Sequence, residues 1–331
     1  MTRPRSPIRA RDESAADRIK GDMRRALLLL IVAVLTGCGG SAKKIPDNGD
    51  LPNTGAGEAA PPLIDTAGWR TDFRKHTVPL SEFQSGGPGK DGIAAIDRPR
   101  FAPARTIRFL APREPVVELD LKGQARAYPV QILIWHEIVN DTVRRTPVAV
   151  TFCPLCNTAI AFDRRLDGRT LDFGTTGNLR NSDLVMYDRQ TESWWQQFGG
   201  EALVGDLAGK RLRELPARIV AWNEFARAHS GGLVPTRKTG FFRDYGQNPY
   251  AGYDSVDSSP LFPVKNSGDK RLPPKERVVF VERSGDALVI PFSTLAKRHE
   301  LRVSVGGHDL VVRWRGDVGS ALDRAEVGFG R

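Results

Sequence analysis

Two cysteines three positions apart are the residues of this chain whose types and spacing best suit chemistry. Cys153 and Cys156 enclose a Cys-Pro-Leu-Cys step that follows the apolar, β-branched run 148–152 and precedes a second alternating run, 159–164. Two sulfurs at this spacing close a small disulfide ring or supply two ligands to one metal ion. Pro154 fixes one φ angle between them and so limits the conformations of the ring.

The neighbouring residues argue against three familiar uses of such a pair. A thioredoxin-like site places the first cysteine at a helix N-terminus within a βαβ pattern, whereas the residues from Asn157 onward predict a strand. Covalent haem attachment needs a histidine directly after the second cysteine, where Asn157 stands. A zinc ribbon needs a second cysteine pair, but the remaining cysteine is Cys38. A structural disulfide, a redox-active pair on another scaffold, and a metal or cofactor site stay open.

His136 is the preferred third member of this site because it lies close in sequence to the cysteine strand. Together with Cys153 and Cys156 it would form a Cys₂His ligand set for a transition metal, or it would carry a proton beside two catalytic thiols. An isolated histidine is more often a satisfied structural residue. On an extended strand, moreover, His136 and Glu137 point to opposite faces, so both enter one site only if the strand bends.

Polar residues on two predicted loops are candidates for cofactor binding, since sites on β scaffolds are usually built from loops. These residues are Asn181, Asp183, Arg243 and Asp244. Their alternative roles are turn formation for the first two and a surface ion pair for the last two. The sequence does not identify the cofactor beyond a possible transition metal. It contains no Gly-rich phosphate loop, no G-x-S-x-G elbow and no H-E-x-x-H motif.

The N-terminus predicts an exported, lipid-anchored protein. Residues 1–37 form a leader in which Met23, the expected true start, precedes two arginines and the apolar run 26–35. The following Leu-Thr-Gly-Cys resembles a bacterial lipobox, so Cys38 is the expected lipidation site and the link to the membrane. A plain anchor or an ordinary secretory signal is the alternative. The cell envelope, on the extracytoplasmic side, is the expected location, and in that oxidising compartment two adjacent cysteines form a disulfide by default.

Composition predicts a globular body and argues against nucleic acid as a partner. The chain has 331 residues, of which 40% are hydrophobic and 27% charged, with a formal net charge of +10. These values are typical of soluble folded domains. The basic excess is spread along the chain without a Lys/Arg block, so we expect no nucleic-acid binding. Protein partners are not indicated.

The pattern along the chain predicts an α+β, β-rich fold of mainly antiparallel hairpins with a few short helices. A flexible tether over 38–68 and an irregular lead-in over 69–97 precede a single domain over 98–315. Hairpins are expected around Lys122-Gly123 and Asp167-Gly168, a turn at Asn140-Asp141, a loop over 178–183, and a helix over 221–229. No internal repeat is evident.

Several long motifs, in the same order, resemble those of the domain of unknown function 3179 family. They cover residues 127–129, 135–141, 148–162 with the Cys-Pro-Leu-Cys step, 181–188, 239–246, 261–264 and 271–275. The resemblance spans roughly 91–314 and implies an exported, often lipid-anchored protein without an established activity. The tail, 316–331, is rich in Gly and Arg and does not show the aromatic segment that the resemblance leads us to expect. This composition predicts that the tail is atypical, truncated or frameshifted.

Two functions from different classes follow. The first is thiol-redox or metal-dependent chemistry at Cys153, Cys156 and His136, which requires the sulfurs to lie beside the imidazole. The second is a non-enzymatic envelope protein that binds a ligand or partner and whose cysteines form a structural disulfide. Whether the protein is an enzyme stays open.

Overall fold

The strand that leads into Cys153 is buried on both of its faces. In the computed structural model, which describes residues 64–331, this strand runs over Thr146–Cys153. Ala149 and Cys153 pack into one apolar cluster, whereas Val148 and Phe152 pack into another. Because alternate side chains of a strand point to opposite faces, this strand separates two cores. Burial on both faces explains why its sequence is a continuous apolar run rather than an alternating one.

Strand accounts for about 39% and helix for about 11% of the described residues, which confirms the β-rich prediction. The strands are β1 (Phe83–Ser85), β2 (Phe101–Pro103), β3 (Pro115–Leu121), β4 (Gln124–Pro129), β5 (Ile138–Val143), β6 (Thr146–Cys153), β7 (Thr158–Asp163), β8 (Arg165–Leu166), β9 (Arg169–Thr170), β10 (Phe173–Arg180), β11 (Asp183–Asp188), β12 (Trp194–Gln196), β13 (Ala202–Val204), β14 (Arg213–Leu215), β15 (Ala217–Ala221), β16 (Leu233–Pro235), β17 (Val278–Arg283), β18 (Asp286–Pro291), β19 (Glu300–Val305) and β20 (His308–Arg313). The α-helices of the described region are α1 (Val130–His136), α2 (Trp222–Ala228) and α3 (Phe292–Arg298), and short 3₁₀ turns cover Leu80–Glu82, Ala104–Thr106 and Val327–Phe329.

Three sheets form the layers around β6. The first has the order β1-β10-β11-β12-β13, the second β14-β7-β6-β5, and the third β15-β3-β4-β16-β2. One face of the second sheet shares an apolar cluster with the first sheet, and its other face packs against α1 and the third sheet. Neighbouring strands are antiparallel except β16, which runs parallel to β4. The pairs β17-β18 and β19-β20 are separate two-stranded hairpins.

Helix α1 is buried between the second and third sheets. Its sequence is apolar on nearly all sides, as expected for a helix that does not face solvent. It ends at Glu137, which leaves the helical conformation with a φ of +58° and a ψ of −31° and whose N–H donates to Leu133 O at 2.6 Å. The chain then enters β5 directly. The bend at Glu137 allows His136 and Glu137 to point into different parts of the core.

One arrangement of hairpins and a helix occurs twice in the chain. The elements β3, β4, α1, β5 and β6 recur in the same order as β17, β18, α3, β19 and β20. The offset is a constant 162 positions, since Pro129 corresponds to Pro291 and Glu137 to His299. His299 also ends its helix with a positive φ, +61°. Few residues are identical between the copies, so the sequence hides the repeat, and the expectation of no internal repeat is wrong.

Two local expectations need correction. Asn140 and Asp141 lie within β5 rather than in a turn, and Asn140 uses its amide to bridge to the backbone of Phe173 in the first sheet. The predicted loop over 178–183 is mostly strand: it contains the end of β10, a two-residue turn and the start of β11. In both places polar side chains suggested loops, but Asn140 is hydrogen-bonded to the backbone of a neighbouring sheet, and Asn178, Arg180 and Asp183 are paired strand residues.

The described residues all belong to one compact unit, and the lead-in and the tail both contribute to its cores. Phe83 is fully buried in an apolar cluster on the first sheet, and Leu322 and Val327 belong to the same cluster as Phe152. Among the described residues, no helix has the length and apolar character needed to cross a bilayer. The predicted leader, Cys38 and the tether up to residue 63 lie outside the described residues.

Candidate metal centre

The candidate site lies where the turns of two β-hairpins meet, and the first of these turns carries the cysteines. Cys153 is the last residue of β6 and pairs with Thr158 of β7, so the step between them is a four-residue hairpin turn. Asn157 completes that turn with a positive φ of +50°. The sulfurs are therefore held by a turn between antiparallel strands and not by a helix N-terminus, in agreement with the strand predicted after Asn157.

The second turn brings Asp183 to the cysteines. Asn181 and Ser182 join β10 to β11, and both have positive φ, +52° and +58°. Two successive residues of positive φ form the turn whose twist matches that of antiparallel strands. Asp183, the first residue of β11, pairs with Arg180 directly beside this turn. Because Asp183 is paired at the start of a strand, the backbone position from which its carboxylate extends is fixed.

The side chains of Cys153, Cys156 and Asp183 converge. One ligand atom from each, the two Sγ atoms and a carboxylate oxygen, lies within 4.8 Å of the other two. Cys156 Sγ donates to Asp183 Oδ1 at 3.0 Å. Both cysteines are free thiols in this arrangement, Cys153 buried and Cys156 exposed as a whole residue. Since zinc–sulfur bonds measure about 2.3 Å and zinc–oxygen bonds about 2.0–2.2 Å, an ion placed among three atoms this close reaches all of them with small side-chain adjustments.

The Asp183 carboxylate is oriented by its second oxygen. Gln196 Nε2 donates to Asp183 Oδ2, and the backbone N–H of Phe198 donates to the same oxygen at 3.0 Å. Oδ1 is thereby directed toward Cys156. Outer hydrogen bonds of this kind fix the geometry of a ligating carboxylate in metal sites.

Several acidic groups are close together at this site. Burial raises the pKa of the Asp183 carboxyl and of the Cys153 thiol, and the contact with Cys153, followed by burial, raises the pKa of Cys156 well above its ordinary value. Burial together with the negative charge of Asp183 raises the pKa of Glu137 to about 8. Within residues 64–331, neither Asp183 nor Glu137 forms a salt bridge with Lys, Arg or His. Two carboxylates and two thiols are thus close together, and the cations that line the adjoining cleft, Arg211, Lys275 and Arg277, form no salt bridge with either carboxylate within the described residues.

A cleft of about 840 Å³ gives access to Cys156 from solvent. Both turns contribute to its lining, through Cys156 and Asn157 on one side and Asn181 and Ser182 on the other. Ser182 Oγ is buried and has no hydrogen-bond partner among the described residues. A buried hydroxyl without a partner costs free energy unless something satisfies it. The cleft lining therefore includes both Cys156 and a turn residue, Ser182, whose buried hydroxyl lacks a partner in the described part of the chain.

His136 uses both of its ring nitrogens elsewhere. Nδ1 lies 2.6 Å from Ala94 O, and Nε2 lies 2.6 Å from the hydroxyl of Tyr245. Because a carbonyl oxygen only accepts, Nδ1 carries the proton and Nε2 accepts from Tyr245. Burial, with the positive charge of Arg243 adding to it, lowers the pKa of His136, so the ring is neutral. The structure does not bring His136 into the group formed by the two cysteines and Asp183.

The other predicted site residues are distributed over two places. Asn181 lines the cleft beside Cys156, and its Oδ1 accepts from the backbone N–H of Lys265 at 3.1 Å. Arg243 and Asp244 are exposed on the loop that carries Tyr245. Arg243 donates to the neighbouring carbonyl of Phe242 at 2.8 Å. Of the four residues selected for cofactor binding, Asp183 joins the sulfurs directly and Asn181 lies beside them.

Sequence reasoning did not select Glu137 or Gln196, and it assigned Asp183 to a cofactor rather than to a metal. On a straight strand Glu137 points away from His136, so the sequence pattern does not group the two residues. The pattern does not reveal that a helix ends at His136 and that the chain bends at Glu137. Gln196 offers no signal in sequence, because its role depends on β12 lying beside β11. The Asn-Ser-Asp step at 181–183 did offer one, since two turn residues followed by an acid place that acid at a strand end.

The fold and site define a β-rich protein with a Cys-Cys-Asp group, buried at Cys153 and Asp183 and exposed at Cys156, that could hold a metal ion. The chain belongs to the family described as "Protein of unknown function (DUF3179)", whose family model matches residues 90–331. The resemblance stated from the motifs is thereby confirmed, and the match extends beyond the range 91–314 that they covered. No curated protein and no solved structure matches the chain.

Proposed function

We propose that this protein binds one transition-metal ion of the zinc class through Cys153, Cys156 and Asp183. The observation that carries the proposal is the convergence of their three ligand atoms within 4.8 Å. Two thiolates with one carboxylate suit zinc and similar borderline-soft ions, whereas calcium and magnesium prefer sites made of oxygen alone. His136, expected from sequence to be the third ligand, is replaced in this proposal by Asp183.

The charge of the region supports a cation. Deprotonated Cys153, Cys156 and Asp183 would place three negative charges in a buried region that holds no Lys or Arg partner for Asp183 or Glu137 in the described part of the chain. Burying unpaired charges is costly, and a divalent ion offsets much of that cost. The thiols keep their protons when no cation is present, because burial raises the pKa of Cys153 and the contact with Cys153, followed by burial, raises the pKa of Cys156.

The number of ligands and the access route support an open site. Structural zinc sites are closed by four protein ligands, whereas catalytic and ligand-binding sites use three and leave a position free. Three protein ligands are proposed here, and the cleft at Cys156 leads to the place where a fourth ligand would enter. Ser182 Oγ, buried and unpartnered beside it, would donate to or accept from that fourth ligand. Binding of a small ligand at the metal is thus favoured over a purely structural metal.

Thiol-redox function is the second candidate, and the site supports it less well. Redox-active cysteines have a lowered thiol pKa because a helix N-terminus or a cation stabilises the thiolate. Here the first cysteine ends a strand, and burial raises its thiol pKa. A structural disulfide remains chemically accessible to two adjacent cysteines in an oxidising compartment, so the experiment must separate it from a metal site.

The test begins with the cysteines of protein taken directly from cells under metal-free handling. The denatured, unreduced protein is alkylated and its intact mass is measured. Alkylation of both Cys153 and Cys156 is expected, followed by a metal analysis showing one zinc-class ion per chain. Absence of alkyl groups on these two residues would mean a disulfide and would overturn the proposal. In the chelator-treated protein, cobalt should produce a thiolate-to-cobalt absorption band that Cys156→Ser weakens, because one of the two thiolates is lost, and that Asp172→Asn, a change at a half-exposed carboxylate elsewhere, leaves intact.

The location belongs to the same proposal. The Leu-Thr-Gly-Cys step after the apolar run 26–35 supports lipidation of Cys38 and attachment of the domain to the extracytoplasmic face of a membrane. Metabolic labelling with palmitate should mark the wild type, and the Cys38→Ala variant should carry no label. Label that persists in Cys38→Ala would contradict the lipid anchor without bearing on the metal site.

A further inference from the structure

A second cleft, of about 610 Å³, has mainly apolar walls and is separate from the candidate metal ligands. Ile219 and Val220 of β15 form one wall, and Phe292 and Leu295 of α3 form another. Trp314 closes the side next to Phe292, with the two rings edge to face at 5.0 Å. The volume falls within the range of about 300–1,000 Å³ that is typical of small-molecule sites.

The cleft is strongly basic at its polar positions. Six arginines contribute to its lining, against two carboxylates, Glu224 and Asp317. The arginines are Arg113, Arg218, Arg277, Arg313, Arg315 and Arg331. Such an excess of one sign in a low-dielectric concavity attracts ligands of the opposite sign.

Four of these arginines have a close carboxylate partner, and two do not. Arg218, Arg313, Arg315 and Arg331 each pair with a carboxylate within about 3 Å. Arg113 forms no salt bridge among the described residues and uses its guanidinium on the backbone carbonyls of Gly316 and Asp317. Arg277 is 3.7 Å from its nearest carboxylate, that of Asp254. Arg113 therefore keeps charge that a bound anion would neutralise, whereas Arg277, whose Nη2 also donates to Ser320 Oγ at 2.9 Å, is paired with a carboxylate only at the longer distance.

We infer that this cleft binds an organic anion with an apolar body, of the class of a free medium-chain carboxylic acid. The apolar walls from β15, α3 and Trp314 would bury the chain, and Arg113 with Arg277 would hold the carboxylate. Guanidinium groups bind carboxylates through paired, charge-assisted hydrogen bonds, which gives the head group a specific place. The inference does not depend on the proposed metal, because the lining includes neither cysteine nor Asp183.

One contact relates the two clefts and guides the choice of variants. With its amide oriented to satisfy both partners, Asn157 accepts from Arg277 Nε at 3.0 Å and from Nη2. Asn157 directly follows Cys156, and Arg277 lines both clefts. Replacing Arg277 would disturb the cysteine turn as well as the anion site. The position suited to a test is Ile219, which is 39% exposed on the edge strand β15.

The experiment is a calorimetric titration of the full chain with dodecanoate, below its micelle concentration, in chelator-treated protein. We expect saturable binding of one dodecanoate per chain. Dodecyltrimethylammonium, which has the same chain and the opposite charge, should not compete, and acetate, which has the head group alone, should bind far more weakly. Equal binding of the cationic detergent, or no binding of dodecanoate at millimolar concentration, would overturn the inference.

Two substitutions at one position test the location of the site. Both substitutions remove part of the apolar wall, but Ile219→Glu should weaken dodecanoate binding about 10-fold more than Ile219→Lys, because only Glu adds a charge of the same sign as the anion. Both changes are at an exposed position and should leave the fold intact, which a thermal melt checks. Arg113→Gln should also weaken binding, and Arg169→Gln, at an exposed arginine outside the cleft, should not. Identical affinities for Ile219→Glu and Ile219→Lys would show that the anion binds elsewhere.

Discussion

Replacing Asp183 by Asn separates a metal ligand from a merely structural acid, because the two roles predict opposite changes. Asn keeps the shape of the side chain, and its carbonyl oxygen can still accept from Gln196 Nε2 and from the Phe198 N–H. Its amide group can donate to Cys156 Sγ, where Asp183 now accepts. The substitution therefore removes the charge and the anionic ligand atom while it preserves the hydrogen bonds.

The metal-free protein should not lose stability from this change. Burial raises the pKa of Asp183 in the folded state, so its ionised form is penalised there relative to the unfolded chain. A raised carboxyl pKa means that the native state binds more protons than the unfolded state, and stability falls as the pH rises. Asn carries no such penalty. At neutral pH, we expect the melting temperature of metal-free Asp183→Asn to equal or exceed that of the wild type.

The metal-bound protein should respond in the opposite sense. Groups that only orient a ligand are worth roughly 10–100-fold in metal affinity, so loss of the ligand itself should cost at least about 100-fold. At a free zinc concentration of 100 Kd, wild-type protein gains about 2.7 kcal/mol, and the variant, then near its own Kd, gains about 0.4 kcal/mol. At roughly 2–4 °C per kcal/mol, a shift of about 5–10 °C falls to about 1 °C.

Thermal melts with buffered zinc and with chelator measure both quantities in one experiment. The matched control is Asp172→Asn, which changes a half-exposed carboxylate on the same protein and should keep the full zinc shift. A variant whose melting temperature drops equally with and without zinc would assign Asp183 a structural role only. A zinc shift as large in Asp183→Asn as in the wild type would remove Asp183 from the ligand set and refute the reasoning from its position.

Three further predictions concern Gln196, Glu137 and Asp163. Gln196→Ala should weaken zinc binding roughly 10–100-fold in a chelator competition, since Asp183 remains but its Oδ2 is no longer held, and an unchanged affinity would contradict this orienting role. In metal-free protein, Glu137 binds its proton in the folded state up to about pH 8 but releases it near 4.5 when unfolded, so stability should fall by up to about 1.4 kcal/mol per pH unit across that window. Urea unfolding of Glu137→Gln should show a flatter profile there, and an equally steep one would assign the loss to other groups. Asp163→Asn should cost about 1–3 kcal/mol above pH 4, because hydrogen bonds from Arg165 outweigh burial and lower the pKa of Asp163 to about 2. That difference should disappear as the pH falls from about 4 to about 2, and a difference that persists at pH 2 would contradict its ionic origin.

Local sequence signals located most of the strands because the relevant physics is local. Asp167-Gly168 and Lys122-Gly123 take positive φ, so those dipeptides mark hairpin turns wherever they occur between apolar runs. The helix predicted over 221–229 is present as α2, Trp222–Ala228. The expectation failed at Asn140-Asp141, where polar side chains are satisfied by a neighbouring sheet that no local pattern reveals. Local patterns also leave α1 undecided, because its sequence, apolar except for Gln131 and His136, suits a buried strand as well as a buried helix.

The candidate site was only half visible in sequence, for a related reason. The cysteines are recognisable because their spacing is local, whereas Asp183 is 27 positions from Cys156 and meets it only because two hairpin turns converge. His136 was selected because it is near in sequence. Nearness along the chain does not predict the direction of a side chain after a helix end of positive φ, and the bend at Glu137 directs His136 to Tyr245 instead.

The repeated arrangement shows that position in the assembly, rather than the motif itself, creates the chemistry. In the first copy, β6 continues through the cysteine turn into β7, and the second sheet then packs on the sheet that carries Asp183. In the second copy, β20 ends at Arg313 and pairs only with β19, and Arg315 stands at the position equivalent to Cys153. His299 likewise replaces Glu137 at the end of the helix. The same order of elements thus has two outcomes. In the first copy it places acidic groups at a turn that packs against another sheet. In the second copy it ends in a two-stranded hairpin, and Arg315, which follows that hairpin, lines the basic cleft.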